Sequence, residues 1–208
     1  MSQGFFLSLD GVDGAGKTTQ CRLLADWLSQ RGYRVVRCRE PGGTAVGERL
    51  REILLHCPAV HVMTELLLFM ASRAQLVTEV IRPALARGEV VVADRFLLAS
   101  VVYQGYGGGL PPDRIWELGR WATGNTLPQL TLILDISPEQ AQQRKPPQED
   151  CFERRGLEFL RRVREGFLTE ARRWPDTMVV VNAELAVAEV QAKLRREVER
   201  VLSGNPRS

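Results

Sequence analysis

Near its N-terminus the chain reads Gly11-Val12-Asp13-Gly14-Ala15-Gly16-Lys17-Thr18, the GxxxxGK[ST] pattern of a phosphate-binding loop. Glycines let the backbone curl until successive N–H groups point at phosphate oxygens. A helix opening at Lys17 adds the positive end of its dipole. Lys17 then reaches the β and γ phosphates of a nucleoside triphosphate, and the Thr18 hydroxyl is a ligand for Mg²⁺. Only three of the 28 basic residues are lysine (Lys17, Lys145 and Lys193), so a lysine at position 17 needs a reason. Asp13 lies inside the loop, where a carboxylate facing polyphosphate is repelled unless a metal ion or a sugar hydroxyl partners it. Typical composition gives roughly a one per cent chance of such a match in a chain of this size.

These groups need a scaffold that gathers them at one edge. GFFLSLD, residues 4–10, is a short apolar run ending in turn residues and predicts a buried strand. Further strands are predicted at 34–38, in GEVVVADR at 88–95, at 131–137 and at 178–183. Lys17 to Arg31 carries Leu23, Leu24, Trp27 and Leu28 on one helical face and is closed by Gly32. Other helices are expected over 45–56, 62–87, 112–123, 156–173 and 185–202. Strands alternating with helices predict a three-layer α/β/α fold, with a mostly parallel five-stranded sheet. Ligands gather at the carboxyl ends of such strands, so the residues that follow each strand carry the chemistry. One domain over residues 1–208 is expected.

Composition narrows the class. The chain has 208 residues, 44% hydrophobic and 25% charged, which suits a soluble globular protein with its own core. The longest uncharged stretch, Phe96 to Pro112, is broken by Gly and Pro and is no membrane helix. The start, MSQGFFLSLD, lacks the basic segment and cleavage site of a signal peptide, which points to the cytoplasm. Cys21, Cys38, Cys57 and Cys151 form no CxxC pair, and His56 and His61 complete no zinc pattern; the cysteines read as free thiols. A net charge of +3 is too small to mark a nucleic-acid binder. None of Asn125, Asn182 and Asn205 opens the NKxD motif of a GTPase. The size suits a nucleotide kinase, which needs a donor site, an acceptor site and a lid.

After the second predicted strand the chain reads Arg39-Glu40-Pro41-Gly42-Gly43-Thr44. At this distance from a phosphate loop, the segment resembles the bacterial thymidylate kinase family. ELLLFMASRAQ at 65–75 is similar to the family's Leu-Phe-x-Ala-x-Arg stretch, Asp94-Arg95-Phe96 to its Asp-Arg-Tyr/Phe motif, and SVVYQG at 100–105 to its Ser-x-Ala-Tyr-Gln-Gly. LTLILDISPE at 130–139 and FERRGLEFLRRVREGF at 152–167 also follow its pattern. The resemblance spans essentially the whole chain. It implies a P-loop NTPase fold, transfer of the γ-phosphoryl of MgATP to dTMP for dTTP and DNA synthesis, and a homodimer with no nucleic-acid or membrane partner.

The resemblance also implies roles. Phe69 stacks on thymine, a contact worth roughly 1–3 kcal/mol; read alone, the apolar run LLLFM makes it a core residue as readily. Arg73, four residues on and on the same helix face, donates to a thymine carbonyl. Gln104 has an amide that donates and accepts, which suits the imide edge, and Ser100 lies one turn before it. Tyr103 crowds the ribose 2′ position and so favours deoxyribose. Arg95 holds the acceptor phosphate with its fork; Arg39 and Arg51 are further candidates, and Glu40 and Pro41 border the same site. Gly11, Val12, Asp13, Gly14, Ala15, Gly16, Lys17, Thr18 and Thr19 contact ATP. Asp13 sits near the 3′-hydroxyl and the metal, with Thr18 and Asp94 as the other metal-site residues. Lys17, Arg95, Asp13 and a lid arginine, with Arg144 the expected one, make up the catalytic set.

The chain departs from the family in four places. The lid, about 142–153, is short; Cys151 stands where an arginine is common, leaving Arg144, Lys145, Arg154 and Arg155 as its cations, and Pro146-Pro147 stiffens it. Gly14 takes the loop position that is basic in some members, so the lid is expected to supply that charge. Asp10 stands where glutamate is more usual. Gln129 replaces an aspartate, with no function attached to it. Ser203 to Ser208 is expected to be disordered. Two alternatives stand beside the main reading. One is a kinase for another pyrimidine monophosphate such as dUMP, since a methyl group discriminates by only ~1–3 kcal/mol. The other is a nucleotide-binding relative whose lid has decayed.

Overall fold

A computed structural model of the chain describes residues 4–56, 60–144 and 156–204. Five strands, β1 (Phe5–Gly11), β2 (Val35–Arg39), β3 (Val90–Asp94), β4 (Leu130–Asp135) and β5 (Met178–Asn182), form one sheet in the order β2-β3-β1-β4-β5. Every neighbouring pair is parallel. Each strand lies within two residues of its predicted position. The helices are α1 (Lys17–Gln30), α2 (Ala45–His56), α3 (Val62–Leu76), α4 (Arg82–Ala86), α5 (Leu97–Ser100), α6 (Pro112–Thr123), α7 (Pro138–Gln143), α8 (Gly156–Arg173) and α9 (Val187–Leu202).

Alternation along β1 builds both faces of the sheet. Leu7 and Leu9 pack with Val90, Val92, Leu130 and Leu132 against α1, α8 and α9, while Phe6 packs with Val91 and Ala93 against α3, α4 and α6. A fully buried aliphatic side chain of this kind is worth about 1.5–3 kcal/mol. The apolar runs end in acids at the carboxyl edge: Asp10, Asp94 and Asp135.

The predicted helix 62–87 is three pieces. A π-helical stretch, Val77–Ile81, joins α3 to α4, just ahead of Pro83. Proline has no N–H for the carbonyl four residues back and its ring collides with it, so the turn widens there. A second π-helical stretch, Val101–Gly107, continues α5 where only a turn from Ser100 to Gln104 was foreseen. The last helix starts at Val187 rather than 185, because Glu189 Oε2 accepts from the Ala186 N–H at 3.1 Å and fixes the start there.

Gln129 acquires a structural role. Its Oε1 accepts from Phe6 N at 2.7 Å and its own N–H donates to Phe6 O at 2.8 Å, so its side chain extends the β1–β4 ladder past Leu130. Cys21 and Cys38 are buried free thiols, as read; Cys57 and Cys151 lie outside the described residues, as do lid positions 145–153 and tail positions 205–208. Among the described residues no helix is long and apolar enough to cross a membrane.

Candidate active site

The β1–α1 turn forms the phosphate loop, and its glycines are needed for position as well as for curvature. Gly14 has φ 88°, and a Cβ there would drive into the backbone of α7, with the Ala141 carbonyl carbon only 2.9 Å away. A basic side chain at position 14 is therefore blocked by the helix that leads into the lid segment. Gly16, at φ 90°, precedes Lys17 as the N-cap of α1. Lys17 is buried; its Nζ donates to Val12 O at 2.8 Å and lies 3.9 Å from Asp13 Oδ1. Burial, helped by the Arg95 charge and opposed by Asp13 and Asp94, lowers its pKa from 10.5 to about 8. Thr18 Oγ1 donates to Asp94 Oδ2 at 2.6 Å.

Arg95 follows β3 with φ 71°, a left-handed conformation that costs a non-glycine residue roughly 1–2 kcal/mol. That bend turns its guanidinium towards β1. It pairs with Asp13, donates to Gly11 O at 3.4 Å and to the Tyr103 hydroxyl at 3.3 Å, and lies over the Tyr103 ring at 5.0 Å. Tyr103 in turn donates to Asp13 Oδ2 at 3.1 Å. Burial pushes the Tyr103 phenol up, so it stays a donor. Behind this triangle, Asp10 is fully buried; burial raises its pKa to about 6 against the pull of Arg95 and Lys17. Its Oδ2 accepts from Ser8 Oγ at 3.2 Å, and the Phe96 backbone N–H also favours the charged carboxylate.

A cleft of about 580 Å³ opens beside Arg95, lined by Asp13, Glu40, Pro41, Arg51, Phe69, Ser100, Tyr103 and Gln104, among others. Phe69 is thus a partly exposed wall residue and not core. Arg73 does not line the cleft. It lies 1% exposed behind Ser100 and Glu40: Nε and Nη2 meet Glu40 Oε2 at 2.8 and 2.7 Å, and Nη2 also donates to Ser100 Oγ at 3.0 Å and Phe96 O at 3.3 Å. Burial raises Glu40 to about 7, with Arg73 opposing.

Asp13, Glu40, Arg51 and Arg95 also border a larger cleft of about 1120 Å³, whose far wall is Gly14, Gly16, Lys17, Thr18, Thr19 and Asp94. The two clefts therefore meet over Arg95 and Asp13. Arg39 enters the larger one but is half-exposed and paired with Glu48 at 3.1 Å; Arg51 Nη1 donates to Pro41 O at 2.9 Å. Arg144 borders this cleft from the C-cap of α7 and donates to Ala183 O at 2.8 Å and Glu184 O at 3.3 Å. It bridges to a third cleft of about 910 Å³, between the phosphate loop and the β5–α9 turn, Ala183 to Val187.

Sequence reasoning missed that turn and also missed Glu65. Glu65 is buried and accepts from Gln104 Nε2 at 2.6 Å. A glutamate four residues before Phe69, within an otherwise apolar run, was the available signal. The ties on either side of the lid segment were missed too: Arg161 to Glu139 at 2.8 Å, and Arg164 to Asp135 through two bonds of 2.7 and 2.8 Å.

The chain is similar to known proteins over most of its length. The family model described as thymidylate kinase matches residues 9–194. A thymidylate kinase of Symbiobacterium thermophilum is 47% identical over 201 residues, covering 95% of this chain and 94% of the relative. One from an Exiguobacterium species is 44% identical and covers 97% of each. The crystal structure of thymidylate kinase from Ehrlichia chaffeensis superposes with a TM-score of 0.79 at 31% identity, covering 94% of this chain and 99% of that one. With the phosphate loop, the Arg95–Asp13 junction and a matching family model over most of its length, the chain belongs to the thymidylate kinase family.

Proposed function

We propose that the chain transfers the γ-phosphoryl group of ATP to dTMP, giving ADP and dTDP. The observation that carries this is the meeting of two clefts over Arg95 and Asp13, one lined by the phosphate loop and the other by Phe69, Ser100 and Gln104. ATP lies along residues 11–19, with its base in the third cleft beside Ala183–Val187 and under Arg144. Thymine stacks on Phe69. Ser100 accepts from Arg73, so its own hydroxyl hydrogen is left to donate to the carbonyl at position four. Tyr103 fills the space beside the ribose 2′ carbon. Arg95, with Arg39 and Arg51 nearby, holds the acceptor phosphate.

An acceptor phosphate oxygen attacks the γ-phosphorus as the bond to the β-phosphate oxygen of ADP breaks. Catalysis is then positioning plus charge stabilisation. Lys17, Arg95 and Arg144 neutralise the transferring oxygens. The donor set fits Mg²⁺: Thr18 Oγ1, Asp94 and Asp13 offer only hard oxygen atoms, and phosphate and water complete a coordination shell that Mg²⁺ seldom builds from protein alone. Thr18, Asp94 and Asp13 would hold the ion there, and it would supply positive charge to offset that of the phosphates. The working unit is a homodimer in the cytoplasm; Met63 and Leu67 on α3 and Trp121 on the adjoining α6 are exposed apolar side chains suited to a second copy.

The test is ADP release from MgATP with dTMP, dUMP, dCMP, AMP, GMP or water alone. Strong release with dTMP and weak release with dUMP is expected, and Arg95→Ala should abolish it while leaving the thermal transition in place. Release without an acceptor would refute the kinase reading, and an Arg95→Ala enzyme of normal turnover would refute the role given to Arg95.

A further inference from the structure

We propose that Glu65 is a positioning residue that sets base specificity by fixing which end of the Gln104 amide faces the substrate. The inference rests on the thymidylate reading of the cleft. Gln104 borders the cleft yet is 1% exposed, and Glu65 beneath it is 3% exposed. Nε2 of Gln104 donates to Glu65 Oε1 at 2.6 Å, while Gln104 Oε1 is buried with no hydrogen-bond partner.

An amide can turn over, but not here. Turning Gln104 would set its carbonyl against a carboxylate oxygen, two acceptors at hydrogen-bond distance with no proton between them, and a buried unpaired polar contact is costly. Glu65 therefore holds the –NH₂ away from the ligand and leaves a lone acceptor at the cleft wall. Ser100, on the same wall, has its oxygen committed to Arg73, which is also tied to Glu40, so Ser100 offers a donor. Acceptor beside donor is the complement of an N–H beside a carbonyl, which is the N3/O4 edge of thymine and uracil. Cytosine carries the reverse pattern, a ring-nitrogen acceptor beside an amino donor, and meets acceptor with acceptor. Two carboxylates from different segments, Glu65 directly and Glu40 through Arg73, thus orient the two groups that read the base.

The readout is the ratio of kcat/KM for dTMP to that for dCMP in wild type and in Glu65→Gln, with folding of the variant checked by thermal melting. A site built around a substrate N–H rejects an analogue lacking it by up to 10⁴–10⁵-fold, so wild type should favour dTMP by at least about 10³-fold. In Glu65→Gln the new amide can offer an N–H to Gln104, both orientations become permitted, and the ratio should fall about tenfold or more. Equal slowing with both substrates, leaving the ratio unchanged, is what a merely structural role gives and would overturn the proposal. If the variant fails to fold, nuclear magnetic resonance of the Gln104 carboxamide in the wild-type enzyme decides. Retention of the Nε2–Glu65 bond on addition of dTMP supports the proposal, and its transfer to the base overturns it. A wild-type enzyme inactive on dTMP removes the thymidylate reading and this inference together, whereas normal dTMP turnover with an unchanged ratio in Glu65→Gln removes this inference alone.

Discussion

Lys17 offers a direct reading of site electrostatics. It is buried, its Nζ has one backbone carbonyl at 2.8 Å and one carboxylate oxygen at 3.9 Å, and Arg95 adds a like charge nearby. Its pKa falls from 10.5 to about 8, a difference worth about 3.4 kcal/mol in favour of the neutral amine. The charged form is the one that attracts phosphate, so the free enzyme should lose its productive form as pH rises through about 8. kcat/KM for MgATP reports the free enzyme. It should descend with a slope of −1 and be down about tenfold one unit above that pKa. kcat at saturating ATP should hold to higher pH, because bound polyphosphate restores the positive partner's preference for its proton. Lys17→Arg is the control, since a guanidinium does not titrate in this range; whatever activity it keeps should be level across the interval. A wild-type kcat/KM profile that is level to pH 10, or a Lys17→Arg enzyme with the same descending limb, would refute the reasoning.

Two further perturbations test the surroundings. Asp10 is raised to about 6 by burial, from 3.8, so between those values the folded state binds more protons than the unfolded one and stability falls as pH rises. Asp10→Asn lacks this penalty: its stability relative to wild type should improve by about 3 kcal/mol from below pH 4 to above pH 6, measured by denaturant titration, and a difference independent of pH would show that Asp10 is not held in this environment. Gly14→Ala puts a methyl group against the α7 backbone in a left-handed conformation. It should cost about 1–3 kcal/mol in the phosphate loop and so at least about tenfold in kcat/KM for ATP; an unchanged value would mean that α7 does not pack on the loop as described.

What the sequence revealed and what it hid divide along the length scale of the signal. The phosphate loop is one contiguous run, and the strands are short apolar segments ending in acids, so both are legible without knowing what neighbours what. Phe69 was ambiguous from sequence, since LLLFM reads as core, and only the position of α3 beside Pro41 and Ser100 makes it a wall residue. Glu65–Gln104 and Glu40–Arg73 are partners 39 and 33 residues apart; periodicity locates each residue on its element but carries no information about pairing across elements. Four residues between Phe69 and Arg73 fix a shared helix face but not the depth, and the structure buries Arg73 against Glu40 and Ser100. Gln129 was opaque because its amide imitates backbone, a function that leaves no composition signal.

The sheet order explains why these costly groups share one place. From β1 the chain builds outward to β2 and returns through β3, then crosses to the other side for β4 and β5, so the crevice at the carboxyl ends opens where the winding reverses. Asp13, Lys17, Glu40 and Arg95 line it with Asp10 buried behind them, and burial pushes Asp10, Lys17 and Glu40 towards neutrality. Apolar residues of similar volume would fold more stably at such positions. The site keeps its charges by satisfying them internally: Arg95 on Asp13 and Tyr103, Lys17 on Val12, Thr18 on Asp94. On the proposed reading, phosphates binding here would exchange existing partners for new ones, so part of the binding energy would be returned as those internal bonds break. What the arrangement gains is order: the cations are already oriented at the junction of the two clefts before substrate arrives, and their reorganisation is not charged to the transition state.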